Sequence, residues 1–398
     1  MTRKFKVGVY LEQSVTAGGG YQQSINAIEQ LSKVVPTNSE IKIFTPIKQN
    51  LVELEKIDIE SSYLPISRFD KLYTFLCRSQ LFFEIQSKLR LLSNFEKKMI
   101  KEEVDLVYFL SPSGRAIILQ KLNYVFTLWD MCHRDHLEFP EVREFGEFER
   151  RELTFKRATR KAYITLVDAE ISKKKLIERY GVDEEKIIVM PFSPSIHMRK
   201  NKSQTDLVLS KYKLKRGYYF YPAQFWPHKN HYIILEALKK LAHENVEIKV
   251  VFSGSDKGNY EAIMKKATDL GVDKNITYLG FVDSEELFQL YENCIALIMP
   301  TYFGPTNLPP YEAWLAKTLV LYPKEHIEQV TDAAILFDND SPDSLAQAIK
   351  KSLNVDERSR VIEKSLARVS EVEKVRAKSE QAMKEKLNKY CFRSLSWK

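Results

Sequence analysis

The order of short β-rich apolar runs and helical segments predicts an α/β protein of two doubly wound, Rossmann-like domains. Three observations carry this expectation. Strand-like and helix-like runs alternate from one end to the other, the pattern of parallel sheets with crossover helices. The alternation breaks at SPSIHMRKNKSQTD (193–206), where apolar periodicity is lost and polar and basic residues gather, and then restarts. A length of 398 residues suits two domains of ordinary size.

In the first half, strands are predicted at KVGVYL (6–11), EIKIFTP (40–46), VDLVYFL (104–110), YVFTLWD (124–130), AYITLVD (162–168) and KIIVMPF (186–192). Helices are predicted over GYQQSINAIEQLSKVV, from Phe69 to Lys101, and over DAEISKKKLIERYGV. After the break, strands are predicted at YYFYPA (218–223), EIKVVFSG (247–254), ITYLG (276–280), ALIMPT (296–301), LVLYP (319–323) and AILF (334–337), with helices between them. The expected domains are 1–196 and 207–375, with a charged C-terminal helix over 376–398 packing back on the first. A ligand cleft is expected between them, outside the carboxyl ends of both sets of strands.

An excess of 61 Lys+Arg over 53 Asp+Glu gives a net charge of +8, which favours anionic surfaces. Anionic lipid headgroups are the first such partner, and a merely solvated basic surface is the plain alternative. No helix-turn-helix, zinc-finger or RNA-binding aromatic signature accompanies the charge, so nucleic acid is not an expected partner. Cys77, Cys132, Cys294 and Cys391 show neither paired nor metal-ligand spacing, which points to reduced thiols in a cytoplasm. No apolar run reaches the roughly 18 residues of a membrane span. The stretch YTFLCRSQLFFEIQSKLRLL (73–92) mixes aromatic and basic residues and suits either a membrane face or an ordinary core helix.

The chemistry-bearing stretches follow strands. Gly18, Gly19 and Gly20 sit between the first strand and the first helix, where backbone can approach an anion or a sugar hydroxyl. YPAQFWPHKNH (221–231) places Lys229 near a helix start, where it can meet a diphosphate, with Gln224 or His228 beside it. FSGSDKGN (252–259) again puts a glycine after a strand. YFGPTNLPPYEAW (302–314) does so a third time and carries Glu312, expected in the first turn of the next helix. That carboxylate suits either the positive end of the helix dipole or vicinal ribose hydroxyls. Asp130 and His133, at a strand end in TLWDMCHRDH (127–136), suit sugar orientation or proton acceptance, with capping of the following turn as the structural alternative for Asp130. FDND (337–340) looks like a metal site, but SPDSL follows it, so the acidic residues are expected to serve the turn and the next helix cap.

Several of these stretches together resemble a known family. FYPAQFWPHKNHYIILEAL, YLGFVDSEELFQLYENCIALIMPT and FGPTNLPPYEAWLAK resemble, in order and spacing, the three C-terminal donor-binding motifs of the GT-B-fold glycosyltransferases of family 4. The branch resembled is glycosyltransferase group 1, which assembles bacterial polysaccharides such as O-antigen. TLWDMCHRDHLEFPE and VDAEISKKKLIERYGVDEEKIIVMPF resemble its N-terminal half. The resemblance implies a GT-B architecture, with a nucleotide-sugar donor bound by the second domain and an acceptor bound mainly by the first. Transfer would proceed with retention at the anomeric carbon, without a metal or other cofactor.

Carried over residue by residue, Lys229 matches the diphosphate lysine, Gly254 and Ser255 the second glycine loop, and Glu312 the ribose-binding glutamate. Phe281 and Val282 fall where the base is bracketed, and Thr306, Asn307 and Leu308 bring backbone N–H groups to the helix start. The chain departs from the pattern at Gly304, where a sugar-binding glutamate is common, at Gln224 in place of arginine, and at Trp129 in place of histidine. The resulting expectation is transfer of a hexose or deoxyhexose, of mannose or rhamnose type, to a lipid-linked oligosaccharide at the inner face of the cytoplasmic membrane. A sugar-nucleotide epimerase of similar build and a degenerate nucleotide-sugar-binding subunit are the alternatives.

Overall fold

The computed structural model describes residues 3–15, 18–89, 91–194, 198 and 206–396. Positions 195–197 and 199–205 of the expected linker lie outside the described residues, as do Trp397 and Lys398 of the charged tail. The chain forms two compact units: Met1–Met131, Phe145–Pro191 and Val375–Lys398 make the first, Cys132–Glu144 and Phe192–Lys374 the second. The stretch 132–144 thus groups with the second unit, although the sequence reading kept all of 1–196 together.

Within the first unit, β1 (Phe5–Tyr10), β2 (Ser39–Thr45), β3 (Ser61–Tyr63), β4 (Leu106–Phe109), β5 (Asn123–Leu128), β6 (Ile164–Val167) and β7 (Ile187–Val189) form one sheet in the order β3-β2-β1-β4-β5-β6-β7. Every pairing is parallel. Helices cover both faces of such a sheet, so its inner strands lose the apolar-polar alternation; β4 and β6 are buried at every residue. The unpredicted β3 is the exception. Its sequence SSY is mostly exposed and lies at the sheet edge, where no apolar pattern is required.

Between these strands run α1 (Gly19–Val34), α2 (Lys48–Glu55), α3 (Arg68–Leu76), α4 (Gln80–Leu89) and α5 (Asn94–Lys101). The single helix expected from Phe69 to Lys101 is therefore three. Ser67 and Ser93 start two of them by accepting the amides of Asp70 and Glu96, satisfying N–H groups that a continuous helix would have paired. The helix Glu147–Lys161 was not anticipated, because only a narrow face with Thr154, Phe155, Ala158 and Thr159 is buried and the rest is charged. Glu96 is fully buried, and its carboxylate accepts the amides of Gln120, Lys121 and Leu122, fixing the turn that leads into β5.

The second unit holds β8 (Tyr218–Pro222), β9 (Val250–Ser253), β10 (Ile276–Tyr278), β11 (Cys294–Ile298), β12 (Leu319–Pro323) and β13 (Ile335–Phe337), in the order β10-β9-β8-β11-β12-β13. All its pairings are parallel as well. In both sheets the chain winds outward one way and then the other, so strand order reverses between β1 and β4 and between β8 and β11. The loops leaving the carboxyl ends at such a reversal diverge and leave a crevice.

The helix Val355–Ser396 closes the described chain, and from Val375 onward it counts with the first unit. There Met383 and Leu387, one turn apart, are fully buried in a core shared with Phe5, Val7 and Leu106. The Tyr390 hydroxyl donates to the Asp105 carbonyl at 3.1 Å, and its ring meets Tyr163 at 4.8 Å. None of the four cysteines is in a disulfide. Burial pushes the Cys77 thiol up to about 11 and raises Cys294 and Cys391 as well. Among the described residues no helix is long and apolar enough to cross a membrane.

Truncating Met383 or Leu387 to alanine is expected to cost about 2–5 kcal/mol of stability, as for other core side chains. Denaturant unfolding checks this; a loss under about 0.5 kcal/mol, typical of surface positions, would mean that the helix is not part of that core.

Candidate functional site

The loops that leave β8, β9 and β11 are stitched together at the carboxyl edge of the second sheet. After β8, Pro227–Lys229 form one 3-10 turn, and Asn230 ends it in the left-handed region at φ 50°. This turn holds the Lys229 side chain half-buried, with Nζ 3.4 Å from Thr301 Oγ1. Thr301 is fully buried in the loop after β11. The two loops are also joined through backbone, since Tyr302 N–H donates to the His228 carbonyl at 2.9 Å. The Lys229 carbonyl is fixed by the Tyr221 hydroxyl at 2.8 Å.

The β9 loop joins from the other side. Gln224 Nε2 donates to Ser255 Oγ at 3.1 Å, and Trp226 Nε1 donates to Gln224 Oε1 at 3.1 Å. Gly254 has φ 130°, and a Cβ there would fall 2.4 Å from the Ala223 carbonyl oxygen. Only glycine lets these two loops come so close. Phe281 is 63% exposed and Val282 half-buried, both in the loop after β10.

The loop from Thr301 to Asn307 differs from expectation at Asn307. The Asn307 amide, expected to face an anion, donates to Gln329 Oε1 at 2.9 Å, while Gln329 Nε2 returns a bond to the Asn307 carbonyl. The Asn307 side chain reaches the Tyr322 hydroxyl at 2.8 Å. This loop is braced by side chains. Thr306 and Leu308 are buried at its end.

Glu312 is not in the first turn of the helix Leu308–Leu315. It is 7% exposed and accepts the Tyr291 hydroxyl at 3.1 Å, so the dipole account falls away. Burial lifts its carboxyl to about 7, against the opposing bond from Tyr291. Its helix grows out of the Thr301 loop, but its carboxylate answers to Tyr291 on the helix Ser284–Asn293.

Cys132–Glu144 supplies a support that sequence reasoning missed. Glu141 Oε1 accepts the His228 backbone N–H at 3.1 Å and pairs with His228 Nδ1, so one carboxylate grips the residue beside Lys229 twice. Burial opposes its charge, yet the His228 bonds hold the Glu141 carboxyl below its ordinary range. The His228 ring also lies flat on Phe303 at 4.0 Å. A pairing across 87 residues leaves no local signal. His133, expected to serve chemistry, is fully buried in the turn Cys132–Arg134.

In the first unit Asp130, expected to orient a sugar or accept a proton, is ion-paired with Arg151 at 3.4 Å. Gly18 is the N-cap of α1 at φ 64°, with open space around it. Gly19 and Gly20 begin the helix itself, and a Cβ on Gly20 would lie 3.2 Å from the Trp129 ring. In FDND, Asp338 pairs with Lys324 and accepts the Asp340 amide, and Ser341 caps the next helix. These residues serve the turn. Among the described residues no group of three or more His, Cys, Asp or Glu side chains is placed to hold a metal ion.

Residues 208–368 match the family model for glycosyl transferases group 1. The chain is 29% identical over 181 residues to the O-antigen chain mannosyltransferase RfbU of Salmonella typhimurium, covering 45% of this chain and 47% of that protein. It is 25% identical over 201 residues to O-antigen chain mannosyltransferase B of Escherichia coli, covering 49% and 52%. The chain spans about half the length of these curated relatives. Its fold is similar to the crystal structure of HepE from Anabaena in complex with UDP-glucose, with a TM-score of 0.72, 16% identity, and 94% and 98% of the two chains covered.

The buried Glu312 gives a pH-dependent prediction. The unfolded chain releases this proton near the ordinary value of 4.5, whereas the folded chain keeps it to about 7. Its contribution to stability is therefore full below 4.5 and lost as pH rises to about 7. Glu312→Gln cannot ionise and should gain on the wild type by up to about 3 kcal/mol across that window. Thermal scans at both ends read this as a Tm difference that moves in favour of the variant; a flat difference would contradict a buried, proton-holding carboxyl.

Proposed function

We propose, from the match of residues 208–368 to the group 1 glycosyl transferase model in a chain of GT-B fold, a retaining, metal-independent glycosyltransferase of bacterial cell-surface polysaccharide assembly. It moves a hexose or deoxyhexose, of mannose or rhamnose type, from a nucleoside diphosphate to a lipid-linked glycan. The observation that carries this reading is the meeting of Lys229 with the Thr301 loop at the β8/β11 reversal, inside the matched stretch. The O-antigen mannosyltransferase relatives favour the sugar type, and the UDP-glucose complex of HepE favours a nucleoside diphosphate as carrier.

In this reading Lys229 places a positive charge beside the diphosphate, and Gly254 lets backbone approach it. As the acceptor oxygen bonds to the anomeric carbon, the carbon–oxygen bond to the diphosphate breaks and its electron pair goes to the leaving phosphate. That phosphate takes the acceptor proton. Fixed positive charge at the departing group is commonly the largest single catalytic contribution. Glu141 acts through His228, keeping the lysine turn in place before the donor arrives.

The reading also places the protein against an anionic membrane. On α3, Phe69, Leu72, Phe75 and Leu76 are exposed, and on α4 Leu81, Ile85 and Leu89 are exposed at helical spacing. The exposed charged residues of this stretch are Arg68, Lys71, Arg78 and Lys88, with Glu84 as the acidic exception. An apolar face with a cationic rim fits an anionic bilayer, which takes the side chains into its interface and the cations among its phosphates.

A screen of nucleoside-diphosphate sugars by thermal shift should find one that raises Tm, since ligand at 100 times its dissociation constant adds about 2.7 kcal/mol. With that sugar, Lys229→Ala should weaken binding by at least about tenfold in calorimetry. Unchanged affinity would remove the lysine from the site, and no stabilising sugar would remove the reading. Independently, Phe75→Ser with Leu81→Ser should cut binding to phosphatidylglycerol vesicles by at least about tenfold while sparing nucleotide-sugar affinity. Equal binding to phosphatidylcholine vesicles, or no effect of the substitutions, would refute the membrane face.

A further inference from the structure

The roles above leave Glu12 unused, two residues beyond the end of β1. We infer that Glu12, with the Ser111 and Ser113 hydroxyls, forms a carbohydrate-binding site on the first unit that holds a hydroxyl of the acceptor glycan. The inference rests on the glycosyltransferase reading and names where its second substrate binds.

Topology puts these residues together. Ser111 and Ser113 lie just past the end of β4, and β1 and β4 are the neighbours between which the first sheet reverses. This crevice corresponds to the one that Lys229 and Thr301 occupy in the second sheet. Ser111 Oγ donates to Glu12 Oε1 at 3.4 Å and Ser113 Oγ to Oε2 at 3.0 Å. Both serines are 1% exposed, so their hydroxyls hold the carboxylate in one orientation. Ser113 is further fixed by accepting the Arg115 amide at 3.2 Å.

The setting of Glu12 differs from that of a carboxylate used for folding. Glu96 is fully buried and held by three backbone amides, and Asp105 is 3% exposed, pairs with Arg3 and accepts the Lys6 amide. Glu12 is half-buried and held by two neutral hydroxyls, which leaves acceptor capacity on a carboxylate that offers about four lone-pair sites. Burial raises its carboxyl above the ordinary range, although Ser113, Arg115, Ser111 and Arg150 all pull the other way. A neutral, polarised donor such as a sugar hydroxyl satisfies such a group without adding a second charge to be desolvated.

Gln13, the next residue, approaches an aromatic ring. Its Oε1 lies 3.4 Å from where a Cβ on Gly20 would sit. The half-buried Trp129 ring reaches within 3.2 Å of the same point. A flat apolar ring beside a few fixed acceptors is how sites receive molecules with an apolar face and a hydroxylated rim.

The test uses the full chain, the nucleotide sugar found by thermal shift, and octyl mannoside, glucoside and galactoside as acceptor probes. Glu12→Gln should raise acceptor KM or lower kcat/KM by at least about tenfold, with donor affinity and acceptor-free donor hydrolysis within about threefold of wild type. Glu12→Asp should recover part of the loss, and Ser113→Ala should fall between wild type and Glu12→Gln. Acceptor kinetics within about twofold of wild type in Glu12→Gln, or parallel loss of donor binding, would overturn the inference. Should Glu12→Gln fail to fold, Ser113→Ala decides, and unchanged acceptor KM there overturns it. If wild type binds no nucleotide sugar, the function reading fails by itself; saturation-transfer NMR of the octyl glycosides with wild type and Ser113→Ala then judges Glu12, and equal signals reject it.

Discussion

The reversal of strand order in each sheet is the constraint on which the remaining geometry depends. Parallel strands joined by right-handed crossovers must send successive helices to one face while the chain winds one way, and to the other face once it turns back. At the turning point two neighbouring strands deliver their loops to opposite faces, and a crevice opens that no side chain has to fill. In the second sheet that place is taken by the lysine turn and the Thr301 loop, which then bond to each other. In the first it is taken by a carboxylate and two hydroxyls. The chemistry differs because the residues differ, while the position is set by the winding.

Close approach then turns these loops into sites. Ala223 and Gly254 come so near that any side chain at position 254 would strike backbone, and this contact lets Gln224 and Ser255 bond. Polar groups on the inner side of the loops are bound to partners: the Asn307 amide to Gln329, the His228 amide to Glu141, the Lys229 carbonyl to Tyr221. Such bracing costs side-chain entropy once, at folding, so the lysine turn is already shaped when ligand arrives. The same bracing limits the loop, since the Asn307 N–H is no longer at an anion's disposal.

Much of this was legible in the sequence, and the gaps have physical reasons. All six strands of the second sheet and six of the seven in the first stand where apolar runs were read, because a strand covered on both faces must be apolar throughout. β3 escaped because an exposed edge has no such obligation. The three helices between Arg68 and Lys101 merged into one because their periodicity runs on across serines whose capping role depends on local backbone angles. Lys229 and Gly254 were readable as loop residues after strands. Glu12 and Glu141 were not, because their partners lie about a hundred residues away and only folding brings them near. Glu312 was read as a helix-start carboxylate because sequence does not reveal that Tyr291 encloses it.

The raised thiol pKa values of Cys77, Cys294 and Cys391 have a practical side. A maleimide reacts with thiolate, and burial keeps these sulfurs protonated. A cysteine introduced at the fully exposed Phe145 would take up a fluorophore far faster than the native thiols. The raised thiols at Cys77, Cys294 and Cys391 thus favour site-selective labelling at such a position.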